Sequence, residues 1–81
     1  MRLTSSKSPK AVAVCAVDRM KGDADLRDDG TNWWVLRSNS FGVPVTRWDF
    51  RPDGNGGSII ELRTSININS GDEHVKACAA S

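Results

Sequence analysis

Hydrophobic and polar positions along the chain change period twice, and the changes mark the elements. Between 10 and 21 no helix breaker intervenes, and Val12, Cys15, Ala16 and Met20 fall at i, i+3, i+4 and i+8, with Ala13 and Val17 widening the stripe. Ser8-Pro9 supplies an N-cap and a first-turn proline, Arg19 and Lys21 suit the C-terminal pole, and Gly22 is a natural stop. The spacing therefore predicts an amphipathic helix from residue 8 to 21.

From 32 onward the period drops to two. Three strands are predicted, over 32–38, 43–51 and 58–66, the last with a possible extension to Ile68. Residues 39–42 and the Pro52-Asp53-Gly54-Asn55-Gly56-Gly57 run separate them as turns. In the last two strands Trp48 and Phe50, then Ile60 and Leu62, form apolar sides. The first strand is apolar on both sides except at Arg37. A buried unpaired arginine is costly, so Trp34 and Leu36 are expected inside and Trp33 outside. Charge selects the hairpin register. Trp48 opposite Ile60 sets Arg47 against Glu61, whereas a two-residue shift sets Asp49 against Glu61 and Arg47 against Arg63.

Ser70-Gly71-Asp72-Glu73 has the form of a capping box, and Val75, Cys78 and Ala79 make the stripe of a final short helix to about residue 80. The expected fold class is α+β in the order α-β-β-β-α. It is a three-stranded antiparallel meander with two helices on one face, a single domain over 8–81 behind a disordered lead-in at 1–7.

Composition changes this picture at two points. With 81 residues the chain belongs to the size range that often needs a covalent or metal staple. Its two cysteines, Cys15 and Cys78, each lie on the apolar stripe of a predicted helix, which favours a disulfide over two buried free thiols. Bonded cysteines in turn favour an oxidising compartment: periplasm, cell envelope or the exterior. A formal charge of +1 argues against a dedicated nucleic-acid or polybasic membrane binder, and no apolar run approaches a bilayer span.

Ser8-Pro9, Val12-Ala13, Cys15 and Arg19 in the first helix, Gly57-Ser58-Ile59-Ile60-Glu61-Leu62-Arg63 in the last strand, and Val75-Lys76-Ala77-Cys78 at the end form a combination that spans most of residues 8–80. It resembles small exported, lipoprotein-like proteins of Gram-negative bacteria, mostly uncharacterised. In that group a cysteine of the opening helix pairs with one near the C-terminus across a three-stranded sheet. The resemblance brings no catalytic residues. A lipid-bearing cysteine would stand at the mature N-terminus, and residues 1–14 contain none. Membrane attachment is thus expected only through an anchor that this chain lacks.

Candidate chemistry is sparse. Asp23, Asp25, Asp28 and Asp29 suggest calcium. With Gly30 at loop position 6, however, Arg27 and Leu36 fall where ligands are required, so 22–31 is expected to be a solvated acidic loop. His74, the only histidine, sits with Ser70 and Asp72 on one first turn, where they act as caps rather than as a triad. Two distant cysteines and one histidine do not make a zinc site, and the glycine run at 53–57 lacks the lysine of a phosphate loop. No enzyme activity, metal or cofactor is expected.

The expected outer sheet face, carrying Trp33, Val35, Arg37, Val45, Arg47, Glu61 and Arg63, remains as a candidate binding surface. Trp33, Arg37, Arg47 and Arg63 are its candidate contact residues. The leading expectation is a non-enzymatic envelope protein that binds another envelope protein or a peptide. The alternative is a cytosolic phage- or host-encoded protein that binds nucleic acid or inhibits a partner through the same tryptophan and arginine face.

Overall fold

Ser8 opens the first helix as its sequence context predicts. The Ala11 N–H donates to its hydroxyl at 3.2 Å and the Val12 N–H to its carbonyl at 3.2 Å. The computed structural model describes residues 2–20, 24–38, 41, 44–65 and 72–80. Its elements run β1 (Arg2–Ser5), α1 (Pro9–Met20), β2 (Ala24–Asp28), β3 (Trp33–Ser38), β4 (Pro44–Pro52), β5 (Ser58–Ser65) and α2 (Asp72–Ala80). The five strands form one antiparallel sheet in the spatial order β1-β5-β4-β3-β2.

The expected mixed α/β class and the Cys15–Cys78 disulfide are present; the three-stranded meander is widened to five strands. Residues 2–5 are not a disordered lead-in but an edge strand, with Leu3 opposite Ile60 and Ser5 opposite Ser58. Four residues with one apolar side chain carry no readable period; the ladder to β5 makes the strand. Residues 24–28 are likewise not loop. Ala24 and Leu26 alternate with Asp25 and Arg27 and pair with β3, and the Asp29-Gly30 turn closes the hairpin. Gly30, at φ 97°, takes the left-handed conformation that this turn requires. The expected stop at Gly22, the Ser70 cap, most of the 39–42 turn, the extension to Ile66 and Ile68 and the side chain of Val45 lie outside the described residues.

The core shows which face each strand buries. Val12, Ala13, Ala16 and Met20 of α1 and Val75 and Cys78 of α2 form one buried cluster with Val35, Trp48, Phe50 and Ile60 of the sheet. Full burial of a side chain such as Phe50 or Ile60 contributes about 1.5–3 kcal/mol. α1 crosses β2 to β5, whereas α2 packs against α1 and β1. The disulfide joins the helices over a sequence separation of 63, a closure worth about 4 kcal/mol of unfolded-state entropy in the chain-entropy picture.

Two sequence expectations about the sheet are corrected. Val35 stands opposite Trp48, so Trp33, Val35 and Arg37 face the helices, and Trp34 and Leu36 face away. Lys10 of α1 lies 5.7 Å from the Trp33 ring centroid, which places Trp33 under the helix layer. Arg37 tolerates the inner side because it stands near the strand end and is only half-buried. A half-buried arginine can keep its charge hydrated while its stem covers apolar surface. The hairpin register also differs. Trp48 pairs with Leu62, Phe50 with Ile60 and Asp49 with Glu61, two residues from the expected alignment. A bulge at Arg63 makes this possible, because Arg47 then faces Thr64 instead of Arg63.

Candidate functional site

The open face of the sheet is built by the residues that alternate away from the core. One cross-strand row runs through all five strands: Arg27 of β2, Trp34 of β3, Asp49 of β4, Glu61 of β5 and Arg2 of β1. Leu36 and Arg47 lie in the next row on one side, and Arg51 and Ile59 on the other. Among the described residues no element packs over this face.

Its centre is a like-charge pair enclosed by arginines. Asp49 receives Arg47 Nε at 2.7 Å and Arg63 Nε at 3.6 Å, and Arg51 meets Glu61 at 2.5 Å. The guanidinium of Arg47 also stacks over Trp34, 5.1 Å from the ring centroid. Arg47 is thereby held by two partners, one ionic and one aromatic. Arg27 and Arg2, at the two edges of the row, have no ion-pair partner among the described residues. The face carries five arginines against Asp25, Asp49 and Glu61, so it is positive at its margins and balanced in the middle.

Beside Trp34, at the end of β3, the surface sinks into a depression of about 200 Å³ lined by Asn32, Trp34, Arg47, Asp49 and Arg51 and, from the inner side, by Trp33 and Phe50. The turn that forms one wall is ordered by Asp29. Its carboxylate accepts the backbone N–H groups of Asn32 at 2.8 Å and Thr31 at 3.0 Å. These bonds, that from Asn32 first, hold the Asp29 carboxyl below its ordinary range. The acidic segment therefore builds a hairpin turn with its oxygens turned onto its own backbone.

Of the four candidate contact residues, the structure brings Arg47 and Arg63 together on the open face, both against Asp49. Trp33 and Arg37 belong to the other face, and Trp34 takes the place expected of Trp33. Arg51, Arg27 and Arg2 were not identified from sequence. Arg51 follows Arg47 and Asp49 at alternate positions of β4, a signal that could have found it, whereas Arg27 and Arg2 sit in segments whose strand character is not readable from sequence.

Chemically the face can stack a planar or apolar group on Trp34 and donate hydrogen bonds from several guanidinium groups. Arg47 and Arg63 pair with Asp49, and Arg51 pairs with Glu61. His74 lies on α2 in the helix layer, half-buried, with Nδ1 shielded and without a hydrogen-bond partner. No group of three or more potential metal ligands converges among the described residues, and no described helix is long and apolar enough to cross a membrane. Compared with protein-family models, curated proteins and solved structures, the chain matches none.

Proposed function

We propose that this is a small, non-enzymatic, exported protein of the bacterial envelope that binds a protein or peptide partner through the open face of its sheet. The observation that carries the reading is the Trp34–Arg47 stack at the centre of an uncovered face, beside a depression of side-chain size. Tryptophan and arginine are the residues most enriched where binding energy concentrates, and ion pairs already hold Arg47 and Arg51 in place. The Cys15–Cys78 disulfide is compatible with an oxidising, exported environment, and the resemblance to lipoprotein-like Gram-negative proteins points the same way.

The runner-up is a cytosolic protein that binds single-stranded nucleic acid on the same face. Arg27 and Arg2, with no ionic partner among the described residues, favour it. The pairing of the other three arginines with Asp49 and Glu61 weakens it, because phosphate binding depends on uncompensated positive charge.

One experiment separates the two. A photo-crosslinking residue is placed at position 36, next to Trp34 on the open face, and the protein is irradiated in its native cells. The expected result is a crosslink to a specific protein in the envelope fraction, lost on Trp34→Ala, with Cys15 and Cys78 resistant to alkylation until reduced. Recovery from the cytosol with two free thiols, or crosslinks to nucleic acid alone, would overturn the proposal.

A further inference from the structure

α2 differs from every other element in how it is attached. It has nine residues, shorter than an isolated helix needs to persist in water. Val75 and Cys78 are its fully buried side chains, and Asp72, His74, Ala77 and Ala79 are half-buried. It packs against α1 and against β1, and β1 is itself a four-residue edge strand held by β5 alone. Ser5 Oγ of β1 donates to the Ala79 carbonyl at 2.9 Å. α1, by contrast, lies across β2, β3, β4 and β5 and closes most of the core without help.

We infer that α2 is a strap whose docking depends on the Cys15–Cys78 bond, and that reduction releases it while α1 and β2 to β5 stay folded. The bond keeps α2 beside α1 at high effective concentration, so that its short apolar stripe and the Ser5 contact seat it. Without the bond, α2 must fold and dock at its own entropic cost.

The step balances with a dithiol as reductant. A thiolate of the dithiol attacks the half-buried Cys15 sulfur, since Cys78 is 1% exposed, and Cys78 leaves as a thiolate that takes a proton. The second thiol of the reductant then displaces Cys15. Two electrons and two protons pass to the protein, and the dithiol ends as a cyclic disulfide. Release of α2 uncovers the inner side of β1 and the flank of α1. The strap is thus a redox-controlled cover, and this holds whatever binds the open face on the opposite side of the sheet.

Hydrogen exchange on the full chain tests the inference, with oxidised protein compared with protein held in dithiothreitol. Amides of 72–80 should exchange at least ten-fold faster after reduction, while those of β3 and β4 keep their protection. Ser5→Ala should change exchange in 72–80 by less than about three-fold in either redox state, because the disulfide seats α2 in the oxidised protein and α2 has already left Ser5 in the reduced one. Unchanged protection of 72–80 on reduction would overturn the inference. So would an equal loss across the sheet, which would show that the bond holds the whole domain rather than a strap. A Cys15→Ser, Cys78→Ser double variant gives the same readout without reductant.

Discussion

Asp49 and Glu61 stand directly opposite each other on β4 and β5, the pairing that charge considerations along the chain argue against. Two features make it tolerable. The bulge at Arg63 keeps Arg47 and Arg63 from facing each other, and three arginines then close on the two carboxylates. The apolar alignment of Phe50 with Ile60 and Trp48 with Leu62 decides the register, and the surface charges adjust to it. Their weights explain why. Burial of side chains of this size is worth about 1.5–3 kcal/mol each, whereas an exposed ion pair contributes about 0–1 kcal/mol.

Arg51→Ala should therefore expose the conflict. It leaves Glu61 facing Asp49 without its own cation, and the expected loss is about 0.5–1 kcal/mol at low ionic strength, shrinking as salt is raised. Glu61→Gln should be close to neutral, since it removes an ion pair and a repulsion together. Urea unfolding of both variants at two salt concentrations checks this. A loss from Glu61→Gln as large as that from Arg51→Ala would show that the repulsion is absent.

The three tryptophans should separate by face. Trp48 is fully buried, and Trp48→Ala should cost about 3–5 kcal/mol. Trp33 is half-buried against the core cluster beneath Lys10, and Trp34 is half-buried on the open face beneath Arg47. Trp34→Ala should lose about 1 kcal/mol or less, with Trp33→Ala between the two. Denaturant unfolding gives the order. A greater loss from Trp34→Ala than from Trp33→Ala would reverse the assignment of faces.

The helices were legible in the sequence because each of their signals is local: Ser8 and Pro9 at the start, and a 3.6-residue stripe carrying Cys15 or Cys78. Strands β4 and β5 were legible from alternation. β1 and β2 were not, because Leu3 alone and Ala24 with Leu26 are too few apolar residues to show a period. Their strand state comes from partners distant in sequence, as when Leu3 meets Ile60. The open face was half-legible for a related reason. Arg47 and Arg63 follow from alternation within their strands, but in β3 both sides are apolar, and Lys10 and Trp48, which draw Trp33 and Val35 inward, lie on other elements.

The Asp29 turn should make stability depend on acid pH. The carboxyl is held below its ordinary 3.8 by backbone donors, so the folded state binds its proton less readily than the unfolded chain. Stability from this group is fully present above the ordinary value and is lost as pH falls through the lower folded one. Asp29→Asn removes the titration and keeps an oxygen acceptor. The wild-type advantage in urea midpoint should stay constant above about pH 5 and shrink steadily below about pH 4. An advantage that stays flat down to pH 2 would show that the charge on Asp29 adds nothing to the turn.

Gly57 offers a test of how β1 is seated. It is buried, and a Cβ at this position would meet the backbone carbonyl oxygen of Ser5 and the carboxylate of Asp53. The Asp53 side chain can swing away, although it accepts the Gly57 N–H at 3.1 Å. The Ser5 carbonyl belongs to the β1–β5 ladder and can yield only if the strand moves. Gly54 has open space around it but a φ of 90°, so an alanine there meets backbone strain alone. Gly54→Ala is expected to cost about 1 kcal/mol and to leave β1 untouched. Gly57→Ala is expected to cost about 1–3 kcal/mol as overpacking and to displace Ser5, whose hydroxyl also holds the last turn of α2. Amide exchange then distinguishes the two substitutions. Faster exchange in residues 2–5 should accompany Gly57→Ala only, and equal exchange profiles for the two variants would mean that β1 is not packed on Gly57 in solution.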